Sequence, residues 1–420
     1  MLTPSLTPLS PGRGVGGEVG GRGANIFIAI HYLELGGVER SLLALLNILP
    51  RDKYTIDLFI YQHSGELMQQ IPSHVHLLPE IKDYSVIEKP LTGVLFSKYW
   101  KIGLARLKAK VKHGRFTKNN KPVNDGSIFQ YVINEIIPFL PSLNNSKIYD
   151  LAISYLTPHN IVLEKVAARK KIAWIHTDYS VVNINKLLEF PVWNGYDSVV
   201  SISDAVSQSF LSIFPELQRK IINIENFLDV EFIRKSANEF SVREEMPYRE
   251  EEINLCSVGR YCNAKNFENA VWICKYLRES GLNVVWYVIG YGGDEDLIKS
   301  TIKAAGMESR FILLGKKSNP YPFIQACDIY IQPSRFEGKA ITVQEAQILY
   351  KPVVITRYPT SASQIVDGID GIIVSMDNRE AAKEIADFIK NEELQKKIIA
   401  NLKNKVYNEE QLKTFNSLFG

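Results

Sequence analysis

The sequence lacks the features that identify several broad classes of protein. Its 420 residues contain no apolar run near the ~18 residues that a membrane-spanning helix needs. The four cysteines have no C-x-x-C spacing, so we expect reduced, mostly buried thiols in a cytosolic protein. Residues 1–23 contain no apolar core of the kind found in a secretory signal. The net charge is only +3, so the global charge indicates little about partners.

The chain does have length and a regular alternation of strand and helix patterns. A chain of 420 residues is too long for one ordinary core, so we expect two domains. Residues 1–23 hold seven glycines and three prolines with little to bury, which predicts a disordered tail. The alternation in both halves predicts an α/β fold with two doubly wound domains that face each other across a cleft. It breaks at about residues 80–147, which we interpret as an insertion.

One stretch, residues 328–350, combines a strand, a loop and a helix. A β-rich run over 328–332 is followed by Glu337 in the loop, and helical spacing begins at residue 340 and includes Glu345. A helical rise would separate the two carboxylates by ~12 Å, whereas a glycosidase pair needs roughly 5–9.5 Å. The pair is better suited to holding two parts of one long ligand, such as a sugar diol and a ribose diol.

Backbone amides at two predicted helix starts are candidates for binding an anion. The amides of Gly338, Lys339 and Ala340 precede the helix just described, and a helix N-terminus favours negative charge. Near the start of the chain, a strand at 25–30 is followed by Gly36 and Gly37 and then by a helix predicted at 40–49. Glycine allows a phosphate to approach closely, although a plain tight βα turn would use the same residues.

Charged and imidazole side chains follow two other predicted strands. Arg260 and Lys265 come after the strand at 253–258, where they could clamp a diphosphate or be two surface cations. His176 follows the strand at 171–175 and could equally be a satisfied loop histidine. Ligands of open α/β sheets bind beyond the carboxyl ends of strands, so all three side chains are candidate site residues.

The pattern Glu337-x7-Glu345 resembles the signature of family 4 retaining glycosyltransferases of the GT-B fold. The runs 351–356 and 367–374 are similar to the same family. The resemblance covers most of residues 25–388 and implies two Rossmann-like domains. The implied boundaries are 24–228 for the acceptor-side domain with its basic insertion, 229–400 for the nucleotide-sugar domain, and 401–420 for terminal helices that can pack back on the first domain.

The resemblance also implies roles for individual residues. Arg260 and Lys265 would neutralise the diphosphate leaving group, while Glu337 and His176 would hold the donor sugar, and these four are the expected catalytic residues. Glu345 would bind the ribose. The remaining donor-binding residues act through glycine contacts, amides or a basic side chain: Gly36, Gly37, Gly315, Lys317, Gly338, Lys339 and Ala340.

The implied activity is retaining transfer of a hexosyl unit from a nucleotide-sugar, expected to be a UDP-sugar, to a saccharide or lipid-linked saccharide in bacterial surface-polysaccharide synthesis. Fixed positive charge would make a metal cofactor unnecessary. We interpret the acids of residues 294–296 as the first turn of a helix and not as a D-x-D metal site. A GT-B nucleotide-sugar epimerase or hydrolase is the alternative. A nicotinamide oxidoreductase is disfavoured because no G-x-G-x-x-G follows residue 30, and a non-catalytic saccharide-binding relative would need relic motifs.

The insertion contains a basic amphipathic pattern. Residues 91–124 include nine cations and no acid. Five apolar residues recur at spacings of three and four, which predicts one apolar helix face: Phe96, Trp100, Leu104, Leu107 and Val111. This face could lie on an anionic membrane, which would place the protein on the inner surface of the cytoplasmic membrane. It could instead be buried against the first domain. Nothing else in the sequence resembles a nucleic-acid-binding module.

Overall fold

The computed structural model describes residues 23–119, 127–143, 147–247 and 249–419. The tail predicted over 1–23 lies outside these ranges except for Gly23, as does Lys121 of the basic insertion. The strands, in chain order, are β1 (Ala24–Ile30), β2 (Tyr54–Ile60), β3 (His76–Leu77), β4 (Tyr149–Ser154), β5 (Ala168–Ile175), β6 (Ser198–Ser201), β7 (Ile221–Asn223), β8 (Ile253–Val258), β9 (Val284–Ile289), β10 (Phe311–Gly315), β11 (Ile329–Gln332), β12 (Val353–Thr356) and β13 (Ile372–Val374).

Helices connect almost all of these strands. They are α1 (Gly37–Ile48), α2 (Lys82–Ser85), α3 (Leu91–Leu95), α4 (Trp100–Asn119), α5 (Ser127–Ile136), α6 (Asn160–Lys165), α7 (Lys186–Asn194), α8 (Asp204–Ile213), α9 (Val230–Ser236), α10 (Phe267–Glu279), α11 (Glu295–Ala305), α12 (Tyr321–Ala326), α13 (Ile341–Ile348), α14 (Ser361–Gln364), α15 (Asn378–Lys390), α16 (Glu392–Lys403) and α17 (Glu409–Ser417). None of the described helices is long and apolar enough to cross a membrane.

The first sheet is parallel, with the order β3-β2-β1-β4-β5-β6-β7. Its interior strand β1 pairs with β2 on one side and with β4 on the other, so that Ile26 aligns with both Ile56 and Leu151. Helices cover both faces, which is why β1 is an almost unbroken apolar run with every residue from Ile26 to Ile30 buried. The direction of winding reverses between β1 and β4, and this reversal opens a crevice at their carboxyl ends.

The second sheet is also parallel, with the order β10-β9-β8-β11-β12-β13. Its winding reverses between β8 and β11, which brings the loops after Val258 and Gln332 side by side. Two doubly wound sheets therefore face each other, and the α/β fold class predicted from the sequence is confirmed. Helix α17 returns to the first domain, where Phe415 and Leu418 join its hydrophobic core.

Helix α1 begins earlier than the sequence predicted. The expected helix over 40–49 is observed as Gly37–Ile48, with Gly36 as its extended N-cap residue. Glu39 and Arg40 therefore lie in the first turn, at the end of the helix that faces the second domain. The sequence prediction placed the start of this helix at Arg40 and so missed its first residues.

The insertion is helical and lies between β3 and β4. Helix α4 buries Ile102, Ala105 and Ala109. The five apolar residues that the sequence placed on one face are all exposed, from 45% for Leu107 to 92% for Phe96. The alternative in which this face is buried against the first domain is therefore wrong. The buried face has three apolar residues, two of them alanines, whereas the exposed face has five larger ones. The helical periodicity alone therefore could not show which face packs against the domain.

Candidate functional site

A cavity of about 350 Å³ lies between the two domains, at the carboxyl ends of the strands on both sides. We call it the interdomain cleft. Its position follows from the topology, because the winding of each sheet reverses at the strands whose loops line it. The first domain contributes Gly36, Gly37 and His176, and the second contributes the loops after β8, β9, β10 and β11.

Gly36 and Gly37 bring the start of α1 close to the second domain. A Cβ atom on Gly36 would lie 2.1 Å from Oε2 of Glu39, and one on Gly37 would lie 3.0 Å from Cγ2 of Ile341. The side chain of Glu39 is itself 7% exposed, so it has little room to move. The two glycines are therefore required by close packing, and they leave the N-terminal amides of α1 beside the cleft.

Glu337 is held in place by donors from three directions. Its Oε1 atom accepts hydrogen bonds from Lys265 Nζ at 2.5 Å, from Ser334 Oγ at 2.5 Å and from Gln332 Nε2 at 3.3 Å. The main-chain carbonyl of Glu337 accepts from Thr360 Oγ1 at 2.7 Å. Such charge-assisted bonds fix the carboxylate and leave Oε2 available to accept hydroxyl groups.

Positive side chains dominate the lining of the cleft. They are Arg40, Arg260, Lys265, Lys316, Lys317 and Lys339, and Glu337 is the one acidic side chain among the described lining residues. Lys316 pairs with Glu66 and Lys339 with Glu225, and both pairs join the second domain to the first. Arg40, Lys265 and Lys317 also pair with carboxylates. Arg260 is therefore the one cation of the described lining without a carboxylate partner, and it is the group best placed to attract an anion such as a diphosphate.

His176 is a neutral residue that lies between two cavities. It lines the interdomain cleft and also a cavity of about 260 Å³ within the first domain. Burial lowers the pKa of His176 to about 3, although a hydrogen bond to the Tyr155 main chain opposes the shift. The ring lies 4.8 Å from that of Tyr155, and its Nε2 atom has no hydrogen-bond partner within the part of the chain described. At neutral pH, His176 can therefore exchange hydrogen bonds with a sugar without adding charge.

Glu345 is not part of the cleft lining. Both of its carboxylate oxygens accept from Arg40 Nη1 at 3.1 Å, and Oε1 also accepts from Tyr321 OH at 2.8 Å. The Glu345 side chain is only 1% exposed. The sequence led us to expect a carboxylate open to a ribose, but here it is paired with an arginine from the other domain.

Two predicted glycines lie just behind the lining. Gly315 has a φ of +70° and accepts the Gly290 N–H at 3.0 Å, so it shapes the end of β10. A Cβ atom on Gly338 would lie 3.1 Å from the carbonyl oxygen of His176. The other predicted residues that line the cleft are Gly36, Gly37, His176, Arg260, Lys265, Lys317, Glu337, Lys339 and Ala340.

Several lining residues were not predicted from the sequence. Arg40, Lys316 and Tyr291 are the clearest examples. Arg40 follows the Gly-Gly loop by three residues and Lys316 is adjacent to Lys317, so the position of each at a strand-to-helix connection was a usable signal. Tyr291 follows β9 and carries no pattern that distinguishes it from a core aromatic.

Known families provide an independent comparison. Residues 239–405 match the model of the family described as glycosyl transferases group 1. This stretch includes the whole second sheet together with Arg260, Lys265 and Glu337. This match covers less than half of the chain, and we call the second domain, which contains most of it, the group 1 domain. A relative in Campylobacter jejuni is named N-acetylgalactosamine-N,N'-diacetylbacillosaminyl-diphospho-undecaprenol 4-alpha-N-acetylgalactosaminyltransferase.

That relative is 25% identical over 201 residues, which are 47% of this chain and 52% of the relative. The match thus spans about half the length of the curated relative. Among solved structures, Anabaena HepE in complex with UDP and glucose has a TM-score of 0.64 at 16% identity, covering 94% of this chain and 100% of that one. Staphylococcus aureus TarM, in a complex that includes UDP, has a TM-score of 0.64 at 13% identity, with coverage of 94% and 100%. The group 1 domain and its partner domain together have the GT-B fold.

Proposed function

We propose that this protein is a retaining glycosyltransferase that moves a hexosyl unit from a nucleotide-sugar, expected to be a UDP-sugar, to a saccharide or lipid-linked saccharide. The observation that carries the proposal is the composition of one cleft. Arg260, Lys265 and Glu337 of the group 1 domain face His176 and the Gly-Gly loop of the first domain. The cleft thus offers charge for a diphosphate and neutral or acidic acceptors for sugar hydroxyls.

The proposed roles follow from charge and position. Arg260 and Lys265 compensate the negative charge that develops on the diphosphate as the sugar leaves, so no metal ion is needed for that purpose. The amides at the start of α1 and around Lys339 approach the phosphates. Glu337 and His176 bind hydroxyl groups of the donor sugar. Glu345 is the proposed ribose ligand, with its carboxylate shared between Arg40 and a ribose hydroxyl.

We propose further that leaving and attacking groups occupy the same face of the sugar. Among the described residues, its one carboxylate is Glu337, and Lys265 already pairs with it. A carboxylate held in this way is a poor nucleophile. We therefore propose that the leaving phosphate itself helps to remove the proton of the acceptor hydroxyl, which gives retention of the anomeric configuration.

The donor and the stereochemistry can be tested together. A panel of nucleotide-sugars is screened by thermal shift, and a donor at 100 times its Kd should stabilise the fold by ~2.7 kcal/mol. The anomeric proton of the product is then assigned by NMR. Absence of stabilisation by every nucleotide-sugar would contradict the assignment, and an inverted anomer would contradict retention. Release of free sugar or an epimer without transfer would support the alternative of a hydrolase or epimerase, although the Campylobacter jejuni relative is named as a transferase.

The proposal includes an anionic membrane surface as a partner, which would hold the enzyme at the cytoplasmic face where a lipid-linked acceptor is presented. The supporting observation is that α4 exposes an apolar row that begins at Trp100, and that Phe96, which follows α3, is exposed as well. Exposed cations flank this row, among them Lys101, Lys110 and Arg115. An amphipathic helix of this composition lies in the plane of a bilayer, and each cation near an anionic surface contributes ~1 kcal/mol.

Liposome co-sedimentation tests the membrane contact. Lys108 and Lys112 pair with Glu135, so reversing them would disturb packing of α4 on α5. The informative variant instead changes Lys101, Lys110 and Arg115 to Glu. We expect it to lose salt-sensitive binding to anionic vesicles, whereas the control triple Lys299, Lys383 and Lys396 to Glu in the second domain retains it. Equal sedimentation of both variants would overturn the membrane proposal.

A further inference from the structure

The cavity within the first domain, which His176 separates from the interdomain cleft, has a different chemical character. It is bounded by α5, α6, α7 and the ends of β4 and β5. Its walls are largely aromatic and aliphatic, including Phe129, Ile133, Leu188 and Trp193. Among the described lining residues there is no lysine, arginine or aspartate. A phosphate would find no counter-charge there, so the cavity suits an uncharged ligand.

A single acidic side chain enters this cavity, and three donors fix it. Glu189 accepts hydrogen bonds from Trp193 Nε1 at 3.0 Å, from Tyr179 OH at 3.2 Å and from Gln130 Nε2. Burial raises the pKa of Glu189, and the three donors oppose this shift. A carboxyl group offers about four lone-pair positions, so at least one remains for a hydroxyl of a ligand.

A donor without a partner also lines this cavity. Trp174 lines the cavity, and its indole N–H is buried without a hydrogen-bond partner in the described chain. Buried polar groups of native proteins normally have a partner, so this N–H marks a place where a ligand oxygen would be stabilising. An acceptor at Glu189, a donor at Trp174 and aromatic side chains in the same lining are the groups that one sugar ring requires, since it has hydroxyls at its edge and C–H groups on its faces.

We infer that this first-domain cavity binds the acceptor as an uncharged hexose or N-acetylhexosamine ring, with Glu189 accepting a hydrogen bond from a hydroxyl and Phe129 covering a face of the ring. The inference rests on the proposed function and adds the class of acceptor to it. A cavity of 260 Å³ is just below the ~300–1,000 Å³ of drug-sized sites, so it accommodates one ring. Its wall at His176 is shared with the cleft, so a ring bound there can direct a hydroxyl toward the donor.

The position of this cavity also connects it with α4, the helix proposed above to contact the membrane. Its outer wall is α5, which packs directly against α4 through the contact of Tyr131 with Phe116 at 5.9 Å between ring centroids. An acceptor sugar carried on a lipid would enter from that side. Any charged phosphates between sugar and lipid would then stay outside the uncharged pocket and near the cations of α4.

Two phenylalanines provide a matched test. Phe129 is 55% exposed and lines the cavity, whereas Phe139 is 45% exposed and does not. Both can be changed to Ala with little effect on the core. Saturation-transfer NMR is run with the methyl glycosides of glucose and N-acetylglucosamine, with UDP present. We expect Phe129→Ala to weaken saccharide binding about five- to tenfold, the scale of one aromatic contact, and Phe139→Ala to leave it unchanged.

Glu189→Gln provides a second variant, checked by thermal unfolding. This variant should bind the same saccharides at least about tenfold more weakly, as expected for a hydrogen bond to a charged group. Its affinity for UDP should not change. Equal effects of the two phenylalanine variants, wild-type affinity in Glu189→Gln, or no saccharide signal with the wild type would each overturn the inference. Failure of UDP to bind the wild type would instead count against the proposed function, so the two failures are distinguishable.

Discussion

At the scale of single residues, the two cations after β8 are the groups on which the proposed chemistry depends most directly. Arg260 and Lys265 line the cleft, and Lys265 also fixes Glu337 at 2.5 Å. We expect Arg260→Ala and Lys265→Ala each to raise the barrier to transfer by ~2–4 kcal/mol, because charge on the leaving group is left uncompensated. The measurement is kcat with a saturating donor.

Lys299→Ala is the control for this prediction, since Lys299 pairs with Glu295 on the surface of the second domain. It should keep wild-type kcat. Lys265→Ala also leaves Glu337 without its cation, so its folding is checked by thermal unfolding before the rates are compared. Near-normal kcat in both cleft variants would remove Arg260 and Lys265 from the proposed mechanism.

Two histidines, the buried His159 and the partly buried His176, give the fold a dependence on pH. Burial lowers the pKa of both His159 and His176 to about 3, well below the ordinary value of 6.5. The histidines of the unfolded chain bind protons at a higher pH than those of the folded chain. The stability that the neutral histidines provide is therefore complete above about pH 6.5 and is lost as the pH falls toward their pKa in the folded state. Each histidine should reduce the free energy of unfolding by ~1.4 kcal/mol per pH unit in that window.

Urea unfolding at pH 7.5, 6.5 and 5.5 measures this slope. His159 bonds through Nδ1 to Ser154 Oγ at 2.8 Å, so His159→Asn retains a polar group while removing the titration. The variant is expected to be less stable at pH 7.5 and to lose less stability on acidification than the wild type. An unchanged slope would show that His159 does not bind the additional proton on unfolding.

At the scale of secondary-structure elements, α11 bears on the question of a metal. Glu295 of its first turn pairs with Lys299 at 2.6 Å, and neither Asp294 nor Asp296 is among the described residues that line the cleft. We expect transfer to survive EDTA, because Arg260 and Lys265 supply the positive charge that a cation would otherwise supply.

The control for metal dependence is a protein in which Asp294 and Asp296 are both changed to Asn. It should have the same activity as the wild type before and after EDTA. Loss of activity in EDTA that Mn²⁺ or Mg²⁺ restores would contradict the interpretation of these acids as a helix start.

The elements also show how far the sequence could predict the structure. Strand β8 matches its predicted limits because a buried parallel strand is an apolar run bounded by turn residues. Helix α4 was predicted as a helix, but the choice of its buried face depends on α3 and α5 and cannot be read from periodicity. Glu345 illustrates a limit of motifs: its position in α13 was predictable, whereas its pairing with Arg40 depends on how two domains meet.

At the scale of the whole molecule, the Arg40–Glu345 pair joins the domains through a buried contact. Replacing Arg40 with Met would leave a buried carboxylate unpaired, which should lower the free energy of unfolding by ~3–5 kcal/mol. Changing Arg40 and Glu345 together to Met should recover much of this loss. Urea unfolding of the two single variants and the double variant measures the coupling.

The exposed interdomain pair Lys316–Glu66 is the comparison for this prediction. Lys316→Met should change stability by no more than ~1 kcal/mol, because exposed pairs are weak. If Arg40→Met is no more destabilising than Lys316→Met, the buried pair is not a main connection between the domains. UDP affinity, measured on the same variants, shows whether Glu345 also serves the donor.

Asn408 has a consequence for how the two domains can move. Its side chain accepts the Leu228 N–H at 2.9 Å and donates to the Leu228 carbonyl at 2.6 Å. Residues 224–229 lead from the first sheet into the second domain, and residues 404–408 lead back toward α17 on the first. The two connecting segments are joined by these hydrogen bonds at one residue. The domains can therefore rotate about a point near Leu228, but they cannot slide past each other without breaking both bonds. The distance between Gly37 and Ile341 would then be set by rotation about this point, so that the same rotation admits the nucleotide and brings its binding groups together.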